Sequence, residues 1–211
     1  MSVSATRSEL LARRARIALA VQGRELLKEK RAALMREFNR LGASVLEAME
    51  ALERGATDAG RLLGDAVAAH GPERVHSAAL AAEREVELSL LSRSVAGVAI
   101  VEIDKEAVAR PRTGRGYSLA ATSARIDVAA EGFEAVLDGL LEVAALELSL
   151  RRLADEIGRT TRRVNALEHV VVPRLEHERA FIALVLEERE LEGRIRLLRA
   201  RSKVERGRRV A

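Results

Sequence analysis

The feature that most constrains this chain is an apolar repeat with the period of a packed helix. Near the C-terminus the repeat advances by alternating steps of four and three, through Leu153, Ile157, Thr160, Val164, Leu167 and Val171. An average spacing of 3.5 residues is the seam of a helix that packs lengthwise on a partner helix. The chain should therefore contain a second long stripe that covers this seam.

Such a stripe runs through the N-terminal part of the chain. Its members keep heptad spacing and are Ile17, Ala20, Leu27, Leu34, Phe38, Leu41, Val45, Ala48 and Leu52. Arg24 and Arg31 interrupt the stripe, and their aliphatic stems can pack while the guanidinium groups reach outward. Thr6 and Glu9 have the spacing of a capping box at the start of this helix. The sequence His70-Gly71-Pro72 is expected to end it.

The C-terminal helical pattern begins near Thr122 and contains one proline. Pro173 lacks a backbone N–H and crowds the carbonyl group of His169, which predicts a bend or local opening. Beyond Pro173 the seam resumes with its phase moved by about three residues, a shift that changes supercoiling locally. The seam residues there are Phe181, Leu184, Leu191, Ile195 and Leu198.

The middle of the chain has a different pattern. Glu73 to about Ser94 predicts a short Ala-rich helix, Ser94–Asp104 predicts a strand, and Tyr117–Leu119 predicts a short returning strand. The predicted fold is all-α in the main, with a long antiparallel two-helix coiled coil that forms one structural unit. Its parts are an N-terminal helix (1–69), a middle insert with a short helix and one candidate β-hairpin (70–121), and a C-terminal helix (122–211).

Composition excludes several classes of protein. Aromatic residues make up 2% of the chain and charged residues 32%, which is typical of long amphipathic helices and poor for a compact globular core. There is no cysteine, and no run of about 18 apolar residues long enough to span a membrane. Lys and Arg number 36 against 32 acidic residues, so the surface is mixed and does not indicate nucleic-acid binding. A cytoplasmic location is expected.

No arrangement of residues indicates catalysis or metal binding. The sequence lacks the phosphate-loop, dinucleotide, zinc-protease and nucleophile-elbow motifs. His169 and His177 are eight residues apart with Pro173 between them, whereas a helical metal pair uses a spacing of four. We expect no catalytic residue, no metal site and no cofactor.

Two long strings resemble one known family. The C-terminal string TTRRVNALEHVVVPRLEHERAFIALVLEEREL and the N-terminal string TRSELLARRARIALAVQGRELLKEKRAALMREF are similar to the central-stalk D subunit of A/V-type rotary ATPases. The matching strings cover about a third of the chain, in the right order at both ends. The middle of the chain does not visibly match.

The resemblance implies a rotor shaft without an active site. Members of the family transmit torque between ATP chemistry in the head and ion flow in the membrane. Implied partners are the catalytic A and regulatory B subunits of the head ring, a small central-stalk F subunit, and a socket subunit (C/d type) above the membrane ring. One copy per complex is expected, peripheral to the membrane through the complex, with no nucleic acid and no direct membrane insertion.

Polar residues beside the seam are the expected head-ring or partner contacts. They are Lys28, Arg31, Thr160, Thr161, Arg162, Arg163, Asn165, Glu168, Arg199, Arg201, Lys203 and Arg206. The alternative for Arg162, Arg163 and Asn165 is a solvated helix face. The basic tail consists of eight cationic residues beside the single acid Glu205: Arg194, Arg196, Arg199, Arg201, Lys203, Arg206, Arg208 and Arg209. It has three interpretations: cations at a helix C-terminus, an electrostatic bearing against an acidic collar, or non-specific nucleic-acid binding.

Two other functions remain open from the residues themselves. The heptads alone would suit a coiled-coil scaffold or adaptor with no rotary role. The basic tail alone would suit a helical nucleic-acid-binding protein.

Overall fold

The computed structural model describes residues 4–83, 85–105, 108–118 and 122–210, without the side chains of Lys105, Arg112 and 203–210. Its elements, in chain order, are α1 (Arg7–His70), α2 (Pro72–Ala81), β1 (Leu88–Val95), β2 (Val98–Lys105), a 3₁₀ turn (Arg112–Gly114), α3 (Ala124–Ala166), a π-helical segment (Leu167–Val171) and α4 (Val172–Val210). The predicted mainly helical fold, with long N- and C-terminal helices, is confirmed.

The ends of α1 follow the predicted signals. Thr6 Oγ1 accepts a hydrogen bond from the Glu9 N–H at 3.2 Å, which is half of a capping box. The Glu9 carboxylate turns instead to Arg13, at 2.9 Å. At the other end, Gly71 has a positive φ of 79° and Pro72 opens α2, where its missing N–H costs nothing.

The chain divides into two compact units, and both contain part of α1. The terminal unit holds 1–31 and 158–211, and the middle unit holds 32–157. In the terminal unit, cross-helix pairs such as Arg13 with Glu178 and Arg7 with Glu190 show that α1 and α4 run antiparallel.

The middle unit packs α1, α3 and the hairpin around one apolar cluster. Leu34 and Leu41 of α1 meet Leu153 of α3 and two residues of β2, Val98 and Ile100, and all five are buried. A second cluster joins α1 to the start of α3 through Ala66, Ile126 and Ala129. Between the two clusters, a Cβ on Gly132 would lie 3.2 Å from the Ala59 Cβ, so this glycine permits the close approach of α1 and α3.

The hairpin corrects two predictions for the insert. The predicted helix from Glu73 to about Ser94 ends at Ala81, and Leu88–Val95 is a strand that pairs antiparallel with Val98–Lys105. The predicted returning strand is wrong as well, because Tyr117 and Ser118 lie in no strand, and Leu119 lies outside the described residues. Alternation of Leu and Ser in LSLLSRSV has the period of a strand, which outweighs a helical assignment.

The residues of the predicted seam are unequally covered. In the middle unit Leu34, Leu41, Val45 and Leu153 are buried, and Phe38, Leu52 and Ile157 are half-buried. In the terminal unit Val164 is buried and Ile17, Leu27 and Leu167 are half-buried. The remaining seam residues, Val171, Phe181, Leu184, Leu191, Ile195 and Leu198, are exposed.

The π-helical segment accounts for the exposure of Val171 and Phe181, two residues of the predicted seam. The Val172 N–H donates to the Leu167 carbonyl, a bond across five residues that fits one more residue into the turn. The face that packs in α4 is therefore displaced by one residue, to Val172 and Ile182, which are 7% and 0% exposed. The predicted shift of about three residues, with Phe181 in the seam, is not the phase that the structure shows.

Candidate partner-binding surfaces

The terminal unit carries a polar strip where α1 faces the π-helical segment. Lys28 Nζ lies 3.2 Å from Glu168 Oε1, so the structure brings together two of the predicted contact residues. Their hydrogen bond lowers the pKa of the Glu168 carboxyl. Each side chain keeps 34% of its surface exposed. Such a pair can exchange its bond for one to a partner protein at little cost.

The other predicted contact residues occupy different environments. Arg31 and Thr161 are half-buried. Those exposed on the helix surface are Arg162, Arg163, Asn165, Arg199 and Arg201. The side chains of Lys203 and Arg206 lie outside the described residues. Of the predicted contact residues, the structure brings Lys28 together with Glu168.

Thr160 is fully buried, unlike the polar residues around it. Its Oγ1 has no hydrogen-bond partner among the described residues. Burying a hydroxyl without a partner costs free energy, on the order of 1–3 kcal/mol. Thr160 therefore occupies a buried position of the seam, where a partner protein cannot reach its side chain.

The C-terminal part of α4 forms an unpartnered apolar row. Arg7 pairs with Glu190 at 2.7 Å, and Arg189 donates to the Ala5 carbonyl at 2.8 Å, so the start of α1 lies opposite these residues. Every described side chain from Glu187 to Ser202 is exposed. This segment presents Leu191, Ile195 and Leu198 at steps of four and three, which is a seam with no cover within the described chain.

A buried ionic cluster fixes the loop 108–118 to α3 in the middle unit. The Arg115 side chain is 1% exposed, and its Nη2 and Nε lie 2.9 and 3.1 Å from the two carboxylate oxygens of Glu134. The same carboxylate accepts from the Arg110 N–H at 3.2 Å. The Tyr117 hydroxyl donates to Asp127 Oδ1 at 2.8 Å. These bonds clamp the loop to the first turns of the helix.

The charge states of this clamp follow from its geometry. Burial by itself raises the pKa of Glu134, but the hydrogen bonds from Arg115 and the Arg110 backbone outweigh it, so the pKa is lowered. The paired carboxylate raises the pKa of Arg115. Burial and the Asp127 carboxylate raise the pKa of Tyr117. The clamp is therefore a charged, hydrogen-bonded cluster that ties the loop to α3.

Sequence reasoning missed this clamp. Residues 110–116 indicate only a turn-rich loop, and Glu134 lies 19 residues from Arg115 with no period that relates them. The sequence did offer one signal for the clamp, the acidic residues Asp127 and Glu134 on the inner face of α3. Such residues are buried only when they are paired.

Beside the clamp lies an apolar groove of about 390 Å³. It is bounded by the end of α1, by α2 and by the start of α3. Its lining includes Leu63, Val75, Phe133 and Leu137, with Arg110, Tyr117 and Glu134 at its edge. Phe133 is 44% exposed there. An apolar floor with a charged edge suits a protein partner.

The described residues contain no group of three or more side chains suited to hold a metal ion. None of the described helices is both long and apolar enough to cross a membrane.

Comparison with known proteins gives one consistent family. The model of the ATP synthase D subunit family matches residues 9–202. The chain is 39% identical over 203 residues to the A-type ATP synthase D subunit of Methanobrevibacter smithii, covering 96% of this chain and 88% of that protein. It is also 39% identical to the A-type ATP synthase D subunit of Archaeoglobus fulgidus (95% and 97% of the two chains) and to that of Thermococcus kodakarensis (97% and 96%). These matches run through the insert as well as both terminal helices, and the chain belongs to the ATP synthase D subunit family.

Proposed function

We propose that this chain is the central rotor shaft of an A/V-type ATP synthase and has no catalytic role of its own. It transmits torque between the catalytic head, built from A and B subunits, and the ion-translocating rotor in the membrane. The observation that carries the proposal is the family match across residues 9–202. In the terminal unit, the antiparallel pair of α1 and α4 supplies a stiff element of the kind that torque requires.

The uncovered row of α4 is the surface we assign to the head ring. Leu191, Ile195 and Leu198 are 55%, 48% and 66% exposed and lie on one face. On the α1 side of the same unit, Leu11, Leu19 and Leu26 are 63%, 70% and 59% exposed. Apolar side chains in such number on a helix surface mark a protein interface. A sleeve of apolar head-ring residues around this unit would cover them.

We assign the groove of the middle unit to the socket subunit, and the Lys28–Glu168 strip to the small F subunit or to the head. The groove offers apolar area and a fixed charged edge formed by Arg110 and Glu134. The strip offers two partly exposed charges that can switch partners. Both assignments follow from the surface chemistry of each site.

The test is native mass spectrometry of complexes captured from source cells with this chain as bait. One copy of the chain with three A, three B and a single small F-like subunit is the expected result. A self-oligomer indifferent to ATPase subunits would favour a scaffold instead, and a bait carrying only nucleic acid would favour the basic-tail interpretation. Either of these results contradicts the rotor proposal.

A surface variant locates the head contact. Replacing Leu191, Ile195 and Leu198 by Asp should leave the helical content of the chain unchanged, since these side chains are exposed, and should remove A and B from the captured complex. The matched control replaces Glu192 and Arg196, which pair with each other at 3.4 Å on the same segment, by Gln. Equal capture of A and B by both variants would show that the head does not bind this row.

A further inference from the structure

The two edges of the β-hairpin differ in how far their outward backbone groups are hydrogen-bonded. A two-residue turn, Ala96-Gly97, closes the hairpin, so Val95 and Val98 form a hydrogen-bonded pair and alternate residues direct their backbone groups outward. On β2 the outward groups meet α3. The Val101 N–H donates to Ser149 Oγ at 2.8 Å, and that oxygen lies 3.2 Å from the Val101 carbonyl.

A second side chain of α3 continues this cover. Arg152 Nη1 donates to the Ala99 carbonyl at 3.3 Å. Val101 is buried, at 5% exposure. The outer edge of β2 is therefore occupied by α3 at Ala99 and Val101.

The outer edge of β1 is open. The same register directs the backbone N–H and C=O groups of Leu88, Leu90, Ser92 and Ser94 away from β2. Within the described part of the chain these groups have no hydrogen-bond partner. Leu88 and Leu90 are 46% and 65% exposed. An uncovered edge of this kind is a template for an additional strand.

The usual protection of a free edge is also missing. Proteins block such edges with lysine, proline or a bulge. β1 contains no lysine or proline, and its register with β2 is continuous over eight pairs. Its one basic residue, Arg93, already lies 3.7 Å from Glu37 and 3.6 Å from Glu102.

The beginning of this edge is acidic. Glu83, Glu85 and Glu87 lead into β1, and all three are exposed. None of them has an ion-pair partner among the described side chains. Asp104, across the ladder from Ser89, adds a fourth exposed carboxylate. A strand added here would pass these charges at the end where β1 begins.

We propose that the outer edge of β1 binds an extended segment of a partner protein by strand addition. The segment carries apolar residues at alternate positions, for contact with Leu88 and Leu90, and basic residues where it passes Glu85 and Glu87. An antiparallel segment would place its basic residues at its C-terminal end. The proposal stands apart from the rotor role, since it concerns only the chemistry of this edge.

The test uses the full chain and a labelled synthetic peptide in fluorescence anisotropy. The peptide is Thr-Val-Thr-Ile-Thr-Val-Lys-Lys with blocked ends. Its two controls are the same peptide with Glu-Glu in place of Lys-Lys and the same peptide N-methylated at alternate amides. Binding of the first peptide, with at least tenfold weaker binding of both controls, is expected, as about 1.4 kcal/mol corresponds to tenfold.

Two variants at one position test the edge itself. Ser92→Pro removes an outward N–H that the hairpin ladder does not use, so the hairpin should remain while peptide binding weakens about tenfold or more. Ser92→Thr keeps the N–H and should bind as the parent does. An unchanged circular dichroism spectrum for both variants shows that the fold is retained, and Glu85→Gln with Glu87→Gln should weaken the lysine peptide selectively.

Several outcomes would overturn the proposal. Absence of binding to the full chain is one, and equal binding by Ser92→Pro and Ser92→Thr is another. Equal affinity for the lysine and glutamate peptides would remove the charge argument and the proposed partner chemistry with it. Self-association of the chain that Ser92→Pro abolishes, seen by sedimentation, would make a second copy the occupant of the edge.

Discussion

The two units of this chain hold together parts of the same helices by different means. The middle unit buries an apolar cluster around Leu153, to which α1, α3 and β2 each contribute residues. The terminal unit has few buried side chains and relies on cross-helix ion pairs such as Arg13 with Glu178, at 2.9 Å. Partly exposed ion pairs contribute little free energy.

This difference indicates how far each unit is stable without a partner protein. A cluster that buries its own residues needs nothing further, whereas a pair of helices with exposed leucines on both sides is stable only marginally by itself. The terminal unit also holds the π-helical segment, a geometry that recurs at functional sites. We infer that the middle unit folds by itself and that the terminal unit is completed by its partners.

The largest expected effect is in the self-sufficient core. Leu153→Ala should lower the free energy of unfolding by about 3–4 kcal/mol, because Leu153 is 0% exposed and the cavity is lined by α1 and β2. Its matched control is Leu148→Ala, on the same helix at 38% exposure, with an expected loss of about 1 kcal/mol or less. Urea unfolding followed by circular dichroism measures both. Equal losses would mean that the cluster is not the core of this unit.

The next effect tests the phase of α4 in the terminal unit. Ile182→Ala should cost about 2–3 kcal/mol because Ile182 is fully buried, and Phe181→Ala, at a 49% exposed position, should cost about 1 kcal/mol or less. The same urea experiment compares them. This ranking is the reverse of the one that the sequence pattern predicts, because that pattern places Phe181 in the seam.

Pro173→Ala sharpens the same test. Without the proline the backbone can restore bonds across four residues, which would eliminate the inserted residue and turn the helix face back by about 100°. Phe181→Ala should then become the costlier change and Ile182→Ala the cheaper one. The same ranking in both backgrounds would show that Pro173 does not hold the π-helical segment in place. The predicted bend at Pro173 stays a prediction.

Much of the fold was predictable because heptad spacing is a strong local signal. Leu34, Leu41 and Leu153 were identified from spacing alone and are buried. The phase beyond Pro173 was not predictable, since sequence does not say whether a proline bends a helix, breaks it or is relieved by an extra residue in the turn. Here the π-helical segment ends two residues before the proline.

The predicted β-hairpin in the insert is confirmed with different strand bounds, whereas the clamp was missed altogether, and the two outcomes have different reasons. The turn uses Ala96-Gly97, which lacks the Asn-Gly or Asp-Gly signal of a two-residue hairpin. The sequence prediction therefore placed most of β1 in a helix and ran a single strand through the turn. The pairing of Arg115 with Glu134 depends on how a loop folds over a helix, and no periodicity encodes that. From the sequence, the partner surfaces could be predicted only as polar residues beside a seam. Which apolar residues stay exposed depends on how the chain packs on itself, and the sequence pattern does not show that.

Acidic pH should affect the middle unit through its clamp. The pKa of Glu134 is lower in the folded chain than in the unfolded one, so the unfolded state binds the proton first. The clamp contributes fully to the free energy of unfolding above the pKa that Glu134 has in the unfolded chain, about 4.3. This contribution is lost as the pH falls through the pKa of Glu134 in the folded chain. Glu134→Gln should cost about 1–2 kcal/mol at pH 7 and should make unfolding less sensitive to pH below about 4.3.

The control for the clamp is Glu142→Gln, an exposed position on the same helix. Urea unfolding at a series of pH values from neutral to acidic compares the parent with both variants. The control should follow the parent at every pH. If Glu134→Gln also followed the parent in its acid dependence, the clamp would not be the acid-sensitive element of this unit.

The smallest effect tests the turn of the hairpin. Ala96 has φ of 50°, in the left-handed region that side chains with a Cβ avoid, whereas Asn tolerates it. Ala96→Asn should therefore stabilise the middle unit by about 0.5 kcal/mol, and Ala96→Val should destabilise it by more than about 1 kcal/mol, since a β-branched side chain suits this region least. Urea unfolding measures the loss of stability in Ala96→Val directly, and it shows whether Ala96→Asn raises or lowers the free energy of unfolding. If both changes were neutral, hairpin packing on α1 and α3 would not contribute to the core around Leu153, and the contrast between the two units would rest on the helices alone.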